Sequence, residues 1–212
     1  MNLTEIRRQL FFIAVLLTLG LLLSASAAHH PPQPLGQAGA NEIVLAFDPA
    51  QSKVHWTLGS TLHTVHGTFA LKRGMLRLDR DSGRTTGEIV ADATSGESGN
   101  GSRDKRMHKE ILETSRYADV VFRPDRIDGK VPALGSATVL IHGTFLLHGS
   151  EHELTVPVQA ELTADHWKGT AKFPIPYIDW GLKNPSNFLL KVDPFVRIDL
   201  QIAGELQGPK TP

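Results

Sequence analysis

Apolar and polar residues alternate along most of the chain from residue 42 onward, and this two-residue period limits the fold more than any other feature. Val54, Trp56 and Leu58 fall on every second position, and the segments 154–162 and 196–202 repeat the pattern. Successive side chains of a strand point to opposite faces of its sheet, so period two indicates strands with one buried face. The pattern therefore predicts a chain built mainly of β-strands.

Turn-forming residues separate these runs and set the number of strands. Hairpin chemistry occurs at Asp81-Ser82-Gly83, Asp128-Gly129-Lys130, His148-Gly149-Ser150 and Ala164-Asp165. We predict an all-β fold of about eight antiparallel strands, closed into a barrel or packed as a two-sheet sandwich. The apolar face mixes small residues with large ones, which fits a filled core and also a barrel that holds one small ligand.

One segment departs from the alternation. Residues 102–116 place Met107, Ile111 and Leu112 on one helical stripe, and Ser102 can cap a helix. We predict a single helical insertion between two strands. Because Met adapts to irregular shapes, this insertion is a candidate lid over the barrel, and an inert plug is the alternative.

The N-terminal segment, residues 1–27, has the organisation of a secretory signal peptide. Arg7 and Arg8 precede an apolar run from Leu10 to Leu23, and Ala25-Ser26-Ala27 supplies an A-x-A cleavage site. The apolar run would rise about 21 Å as a helix, less than the ~30 Å hydrocarbon core of a bilayer. We therefore expect cleavage and a periplasmic or secreted protein, with an uncleaved membrane anchor as the alternative.

The rest of the chain divides by composition. Residues 28–40 are rich in Pro and Gly and are expected to form a linker. The folded domain is expected at residues 41–206, with residues 207–212 as a C-terminal tail.

Composition excludes several classes of function. The 22 Lys and Arg equal the 22 Asp and Glu, so no net charge draws the chain to nucleic acid or to an anionic membrane. The absence of Cys excludes thiolate chemistry and disulfides. The 10 His show no tight three-ligand spacing, so we expect no metal site and no other cofactor. No sequence motif of a hydrolase, metalloprotease or phosphate-binding loop occurs, and we predict that the protein is not an enzyme.

Seven short motifs along the domain resemble those of the YceI-like family. In chain order they are Phe47-Asp48-Pro49 with Ser52-Lys53-Val54-His55-Trp56, Thr64-Val65-His66-Gly67-Thr68-Phe69, Arg103-Asp104 with Met107-His108 and Ile111-Leu112, Tyr117 to Phe122, Val139 to Thr144, Val156-Pro157-Val158, and Trp180-Gly181-Leu182 with the strand from Val196 to Ile202. Ala118 stands where the family usually has Pro. The resemblance covers roughly residues 44–204, and its specificity lies in the order of the motifs.

The resemblance implies a lipocalin-like antiparallel barrel with one helical insertion. It implies an exported, non-catalytic protein that carries or stores a polyisoprenoid or similar long-chain amphiphilic lipid, quinone-like or prenyl-phosphate, in its apolar interior. The alternative function is a filled barrel that acts as a structural or interaction protein of the cell envelope, for example in a stress or redox system. The sequence leaves the oligomeric state open and is compatible with a dimer.

The expected ligand contacts form two groups. The apolar wall is expected to contain Val54, Trp56, Leu58, Val65, Phe69, Ile89, Phe122, Val139, Ile141, Phe145, Val156, Trp167 and Phe173. The helical insertion is expected to contribute Arg103, Asp104, Met107, His108 and Leu112. Arg103 and Asp104 are candidates for head-group binding or for fastening the insertion to the barrel, and His142 and Asn187 are further head-group candidates.

Overall fold

A computed structural model describes residues 41–208 of the 212-residue chain. The predicted signal segment, the linker and residues 209–212 of the predicted tail lie outside the described residues. The strands are β1 Glu42–Phe47, β2 Lys53–Leu58, β3 Val65–Asp79, β4 Thr85–Glu97, β5 Asp119–Asp128, β6 Gly135–Leu147, β7 Ser150–Leu162, β8 His166–Ile175 and β9 Val196–Gln207.

The strands close into a single antiparallel barrel. Neighbours in sequence pair from β3 through to β9, and β9 pairs back to both β1 and β2. β1 pairs with the last residues of β3 and β2 with the first, so the two short strands share one position in the barrel. The barrel therefore has eight strand positions, which confirms the predicted fold class and excludes the sandwich.

The break between β1 and β2 is fixed by Asp48. Its carboxylate accepts hydrogen bonds from the amide of Ala50 at 2.8 Å and from the side chain of Gln51 at 2.6 Å. The hydrogen bond from the Gln51 side chain is the largest contribution that lowers the pKa of Asp48, followed by the Ala50 amide. The strand resumes at Lys53 with the same direction against β3 and β9.

The inward and outward faces follow the predicted alternation. Buried and exposed residues alternate without exception along β8, from His166 to Ile175. In β5, Pro124 cannot donate to the ladder, and the register against β6 shifts between Pro124 and Arg126. Gly143 lies opposite, where a Cβ would come within 2.6 Å of the Pro124 Cα. A bulge and a glycine thus allow a proline inside a closed barrel.

The helical insertion lies between β4 and β5. It consists of the helix α1, Gly101–Arg106, and a π-helical turn, Met107–Ile111. The predicted insertion is confirmed, but the predicted cap at Ser102 is wrong. Asn100 Oδ1 accepts the Arg103 amide at 3.1 Å, so the cap lies two residues earlier and the helix begins at Gly101. The helical part also ends at Ile111, before the predicted Arg116.

The two ends of the barrel differ. We call the end that carries α1 the helix end. The antiparallel order also places the loops 59–64 and 176–195 there, with the tight His148-Gly149 turn. At the opposite end the rings of Phe47 and Trp167 pack edge to face with centroids 4.6 Å apart, among fully buried residues such as Leu78. Access to the interior is therefore from the helix end.

Candidate functional site

The barrel encloses an elongated cavity of about 420 Å³, which all nine strands line. Its wall is aliphatic and aromatic over the length of the barrel. All thirteen residues of the predicted apolar wall line it: Val54, Trp56, Leu58, Val65, Phe69, Ile89, Phe122, Val139, Ile141, Phe145, Val156, Trp167 and Phe173. The barrel of residues 41–208 therefore has space for a ligand, in addition to a packed core.

Small residues make this space. Ala91, Ala93, Ala160 and Ala171 line the cavity at positions where alternation directs side chains inward. A barrel of eight strands is otherwise just wide enough for side chains to fill it. Short side chains on β4, β7 and β8 thus leave room that large residues on the other strands do not occupy.

Two arginines are the only charged residues in the cavity wall of the described chain. Arg103 and Arg106, both in α1, line the cavity at the helix end, together with the polar residues Ser60, His63 and Tyr177. No carboxylate among residues 41–208 lines the cavity. The mouth is therefore electrostatically suited to an anion, while the interior is suited to a hydrocarbon chain.

Arg103 also fastens the insertion to the end of β4. Its Nε donates to Ser98 Oγ at 2.7 Å and its terminal nitrogen donates to the Ser98 carbonyl at 3.0 Å. Ser98 Oγ in turn donates to the carboxylate of Asp104. Partial burial raises the pKa of Asp104, but the hydrogen bond from Ser98 and the charge of Arg103 outweigh it and hold the pKa below its usual value.

Of the five predicted insertion residues, three line the cavity and two do not. Arg103, Met107 and Leu112 are in the wall. The Asp104 carboxylate accepts a hydrogen bond from Ser98 Oγ. His108 is hydrogen-bonded through Nε2 to the Gly96 carbonyl at 2.8 Å and through Nδ1 to Thr114 Oγ1 at 3.3 Å. Asp104 and His108 therefore lie outside the cavity wall, and both hold the insertion in place.

The two further head-group candidates, His142 and Asn187, also lie outside the cavity wall. His142 lies on the outer face of β6, where Nε2 is 2.9 Å from Asp128 and Nδ1 is 2.9 Å from Thr155 Oγ1. Asn187 uses its Oδ1 to accept the amides of Leu189 and Leu190 at 2.9 and 2.8 Å. Neither side chain belongs to the cavity wall.

Sequence reasoning missed the part of the wall contributed by the loop between β8 and β9. Tyr177, Leu182, Pro185, Leu190 and Val192 all line the cavity. The Tyr177 hydroxyl donates to the Asp193 carbonyl at 2.9 Å, and burial, with the charge of Asp193, raises its pKa to about 12. This loop has no periodic pattern, and its apolar residues were the one available signal.

The same loop is tied to the helical insertion. Lys183 Nζ lies 2.8 Å from Glu110 Oε2, and Arg106 Nε lies 3.6 Å from the same oxygen. These are surface ion pairs, which typically contribute ~0–1 kcal/mol each. The ion pairs that join the insertion to this loop therefore contribute little to stability, and the insertion is held mainly by its bonds to Ser98 and Gly96 and by the packing of Ile111 and Leu112.

Within residues 41–208 no three His, Asp or Glu side chains are grouped to hold a metal ion. No helix in that range is long and apolar enough to cross a membrane.

Comparison with known proteins agrees with this architecture. The sequence model of the YceI-like domain matches residues 45–204, so the chain belongs to the YceI-like family. No curated protein matches the sequence.

Solved structures that share the fold include two with a TM-score of 0.61. BcnA from Burkholderia cenocepacia is 15% identical, with a TM-score of 0.61 over 74% of this chain and 99% of that one. A polyisoprenoid binding domain from Saccharophagus degradans, implicated in plant cell wall breakdown, is 17% identical, with a TM-score of 0.61 over 78% of this chain and 98% of that one. At these identities the likeness establishes the barrel and leaves the ligand to be argued from the cavity.

Proposed function

We propose that this chain is an exported, non-catalytic binding protein that holds a long-chain amphiphilic lipid of the polyisoprenoid type. The observation that carries the proposal is the charge distribution of the cavity: a hydrocarbon-lined interior whose charged wall residues, within the described chain, are Arg103 and Arg106. Such a wall fits an apolar tail inside and an anionic head group, such as a phosphate, at the helix end. The family match and the polyisoprenoid binding domain of the same fold support this reading.

The volume of the cavity sets the length of tail that it can enclose. A methylene occupies about the volume of one water in the liquid, ~30 Å³. The cavity of about 420 Å³ therefore holds about 14 carbons, or roughly three isoprene units. A longer polyisoprenoid would leave its remaining units in the mouth or outside.

The expected affinity is moderate. Burial of about 14 carbons at ~0.8 kcal/mol each contributes about 11 kcal/mol. Association costs of ~4 to 15 kcal/mol offset most of it. A protein that carries a lipid and releases it needs this balance.

Export is proposed on the sequence of residues 1–27, where a basic start, a short apolar run and an A-x-A site follow one another. A periplasmic or secreted location would bring the barrel to lipids of the cell envelope.

The head-group assignment is tested with farnesyl phosphate and farnesol, which share a tail and differ in charge. Displacement of a fluorescent apolar probe should give about tenfold weaker binding of farnesyl phosphate to Arg106→Gln, the loss of one charged hydrogen bond. Farnesol should bind the variant and the wild type equally. Equal binding of farnesyl phosphate to both proteins would refute the role of Arg106.

The tail assignment is tested on the native protein. Mass spectrometry of protein purified without detergent, followed by organic extraction, should recover an isoprenoid lipid. A quinone would support a neutral head group instead of a phosphate. Protein without lipid that also fails to bind farnesol would favour the filled-barrel alternative.

A further inference from the structure

Two tight turns at the helix end present apolar side chains at their tips. Ser60 and His63 close the first turn, with the Ser60 amide donating to the His63 carbonyl at 3.1 Å, and Leu62 lies within it. Asn187 and Leu190 close the second, through a 2.8 Å bond from the Asn187 amide to the Leu190 carbonyl. Phe188 and Leu189 are the two central residues of that second turn.

Both turns are built to hold these side chains outward. In the first, Ser60 Oγ donates to the His63 carbonyl at 2.7 Å. In the second, the Asn187 side chain accepts two amides of its own turn, an arrangement typical of Asx-turns. Polar side chains satisfy the backbone of each turn, so the apolar residues at the tips are not needed to fold it.

The turns also form one unit. The Thr61 amide donates to the Lys191 carbonyl at 2.9 Å, and the Lys191 amide donates to Thr61 Oγ1 at 3.3 Å. Ser60 and Val192 form a β-bridge beside them. We call Leu62, Phe188 and Leu189, which these bonds bring to one side of the barrel, the apolar tip.

The apolar tip adjoins the mouth of the cavity. Ser60 and His63 of the first turn line the cavity, and so does Leu190 of the second. The side chains between them point away from it: Leu62 is 72% exposed, Leu189 80% and Phe188 94%. Single exposed apolar residues are ordinary, but three on joined turns beside a cavity form a patch of the kind that marks an interaction surface.

The charges around the patch indicate which partner. The two turns, residues 60–63 and 187–190, contain no carboxylate, and Lys191 directly follows the second turn. The loop 176–195 also contains Lys183, Asp179 and Asp193, and the Asp193 carboxylate lies against Gly59. Lys191 makes no ion pair within residues 41–208, and Arg106 adds a further cation at the mouth. Glu110, which pairs with Lys183 and Arg106, offsets one of these charges. Apolar side chains flanked by cations match the interface of an anionic bilayer.

We propose that the apolar tip docks on an anionic lipid bilayer, with Leu62, Phe188 and Leu189 entering the interface and Lys191 contacting lipid phosphates. Docking in this orientation turns the mouth of the cavity toward the membrane, so a lipid can pass between the two without crossing water. The proposal goes beyond the cavity ligand: it assigns a second lipid contact, on the outer surface, that does not depend on what the cavity holds.

The absence of Cys from the chain allows a site-specific test. Leu189→Cys in the full chain is labelled with an environment-sensitive fluorophore, and Leu134→Cys is the matched control. Leu134 is 62% exposed but lies in the loop before β6, at the opposite end of the barrel. A local label reports insertion at its own position, whichever way residues 1–27 associate with lipid.

Vesicles of phosphatidylcholine mixed with phosphatidylglycerol should raise the emission at position 189 several-fold and leave that at position 134 unchanged. Phe188→Ser, made in the Leu189→Cys chain, should raise the vesicle concentration for half-maximal signal at least about tenfold, since one buried aromatic side chain is lost. Lys191→Gln should raise it about fivefold, as expected for one cation near an anionic surface. Lys168→Gln, on the outer face of β8, should have no effect.

Three results would overturn the proposal. The first is an unchanged signal at position 189, and the second is an equal signal at positions 189 and 134. The third is a signal that rises with protein concentration in the absence of vesicles, because the patch would then bind a second copy of the chain. None of these depends on farnesol binding, so docking can fail while the cavity proposal stands.

Discussion

Replacing Ala171 with Leu should weaken lipid binding while leaving the barrel as stable as before or more so. Ala171 lies on β8 between Val158 and Leu200 in the ladder, and all three line the cavity. Its side chain is 3% exposed, so the added carbons must enter the interior.

The magnitude follows from the volume. Leu adds three carbons, or about 90 Å³ of the 420 Å³ cavity, and displaces about three of the roughly 14 carbons that fit. At ~0.8 kcal/mol per methylene this removes about 2.4 kcal/mol of binding, or roughly 60-fold in affinity. Farnesol should show this loss. Geraniol, one isoprene unit shorter, should show much less because it fits the remaining space.

The effect of this substitution on the free energy of unfolding distinguishes an empty cavity from a filled core. In an empty space the added carbons are buried without a clash, so urea unfolding should show equal or greater stability. In a filled core the same substitution overpacks the interior and costs ~1–3 kcal/mol. Ala70→Leu, at an exposed position of β3, is the matched control and should change neither quantity. Destabilisation of Ala171→Leu with unchanged farnesol affinity would refute the reasoning.

Three further predictions concern the loops, the insertion and export. Burial raises the pKa of the Tyr177 hydroxyl to about 12 in the folded protein, compared with ~10 in the unfolded chain. The neutral hydroxyl therefore stabilises the fold fully below pH ~10, and this contribution is lost as the pH rises through about 12. Urea unfolding should show a fall of about 1 to 2 kcal/mol over that window, which Tyr177→Phe removes. Hydrogen exchange of the backbone amides should be faster in residues 101–111 than in residues 139–145 of the empty protein, and it should slow in residues 101–111 when farnesol is added. Equal exchange with and without farnesol would mean that the insertion is an inert plug. N-terminal sequencing of the protein from envelope material should begin at about Ala28 or His29, whereas recovery of an intact N-terminus in membranes would indicate the anchored form.

The barrel was predictable because the alternation of apolar and polar residues within each strand shows which side chains face inward. Alternation places Ile141 and Phe145 inward without any knowledge of their neighbours. It also directs His142 outward, so the expectation that His142 binds a head group contradicted the pattern itself. The turn at His148-Gly149 was also predictable from local sequence, because a two-residue hairpin favours glycine in the turn. In the structure both residues have positive φ, at 51° and 77°, as this hairpin requires.

The parts that escaped prediction depend on contacts between distant segments. Asn100 rather than Ser102 caps α1, because Asn100 Oδ1 accepts the Arg103 amide and the helix begins at Gly101. The hydrogen bond between Ser98 and Asp104 forms only when the end of β4 and α1 are brought together in the fold. Tyr177 and Leu190 line the cavity through a loop without periodicity, so nothing in their local sequence gives their direction.

The pairing of β9 with β1 and β2 has a consequence for the order of events in biosynthesis. This seam joins residues 42–58 to residues 196–207, so nearly the whole domain must be made before the ring of hydrogen bonds can be completed. Contacts of such long sequence separation form slowly. The barrel of a nascent chain therefore stays open at this seam until β9 has been synthesised.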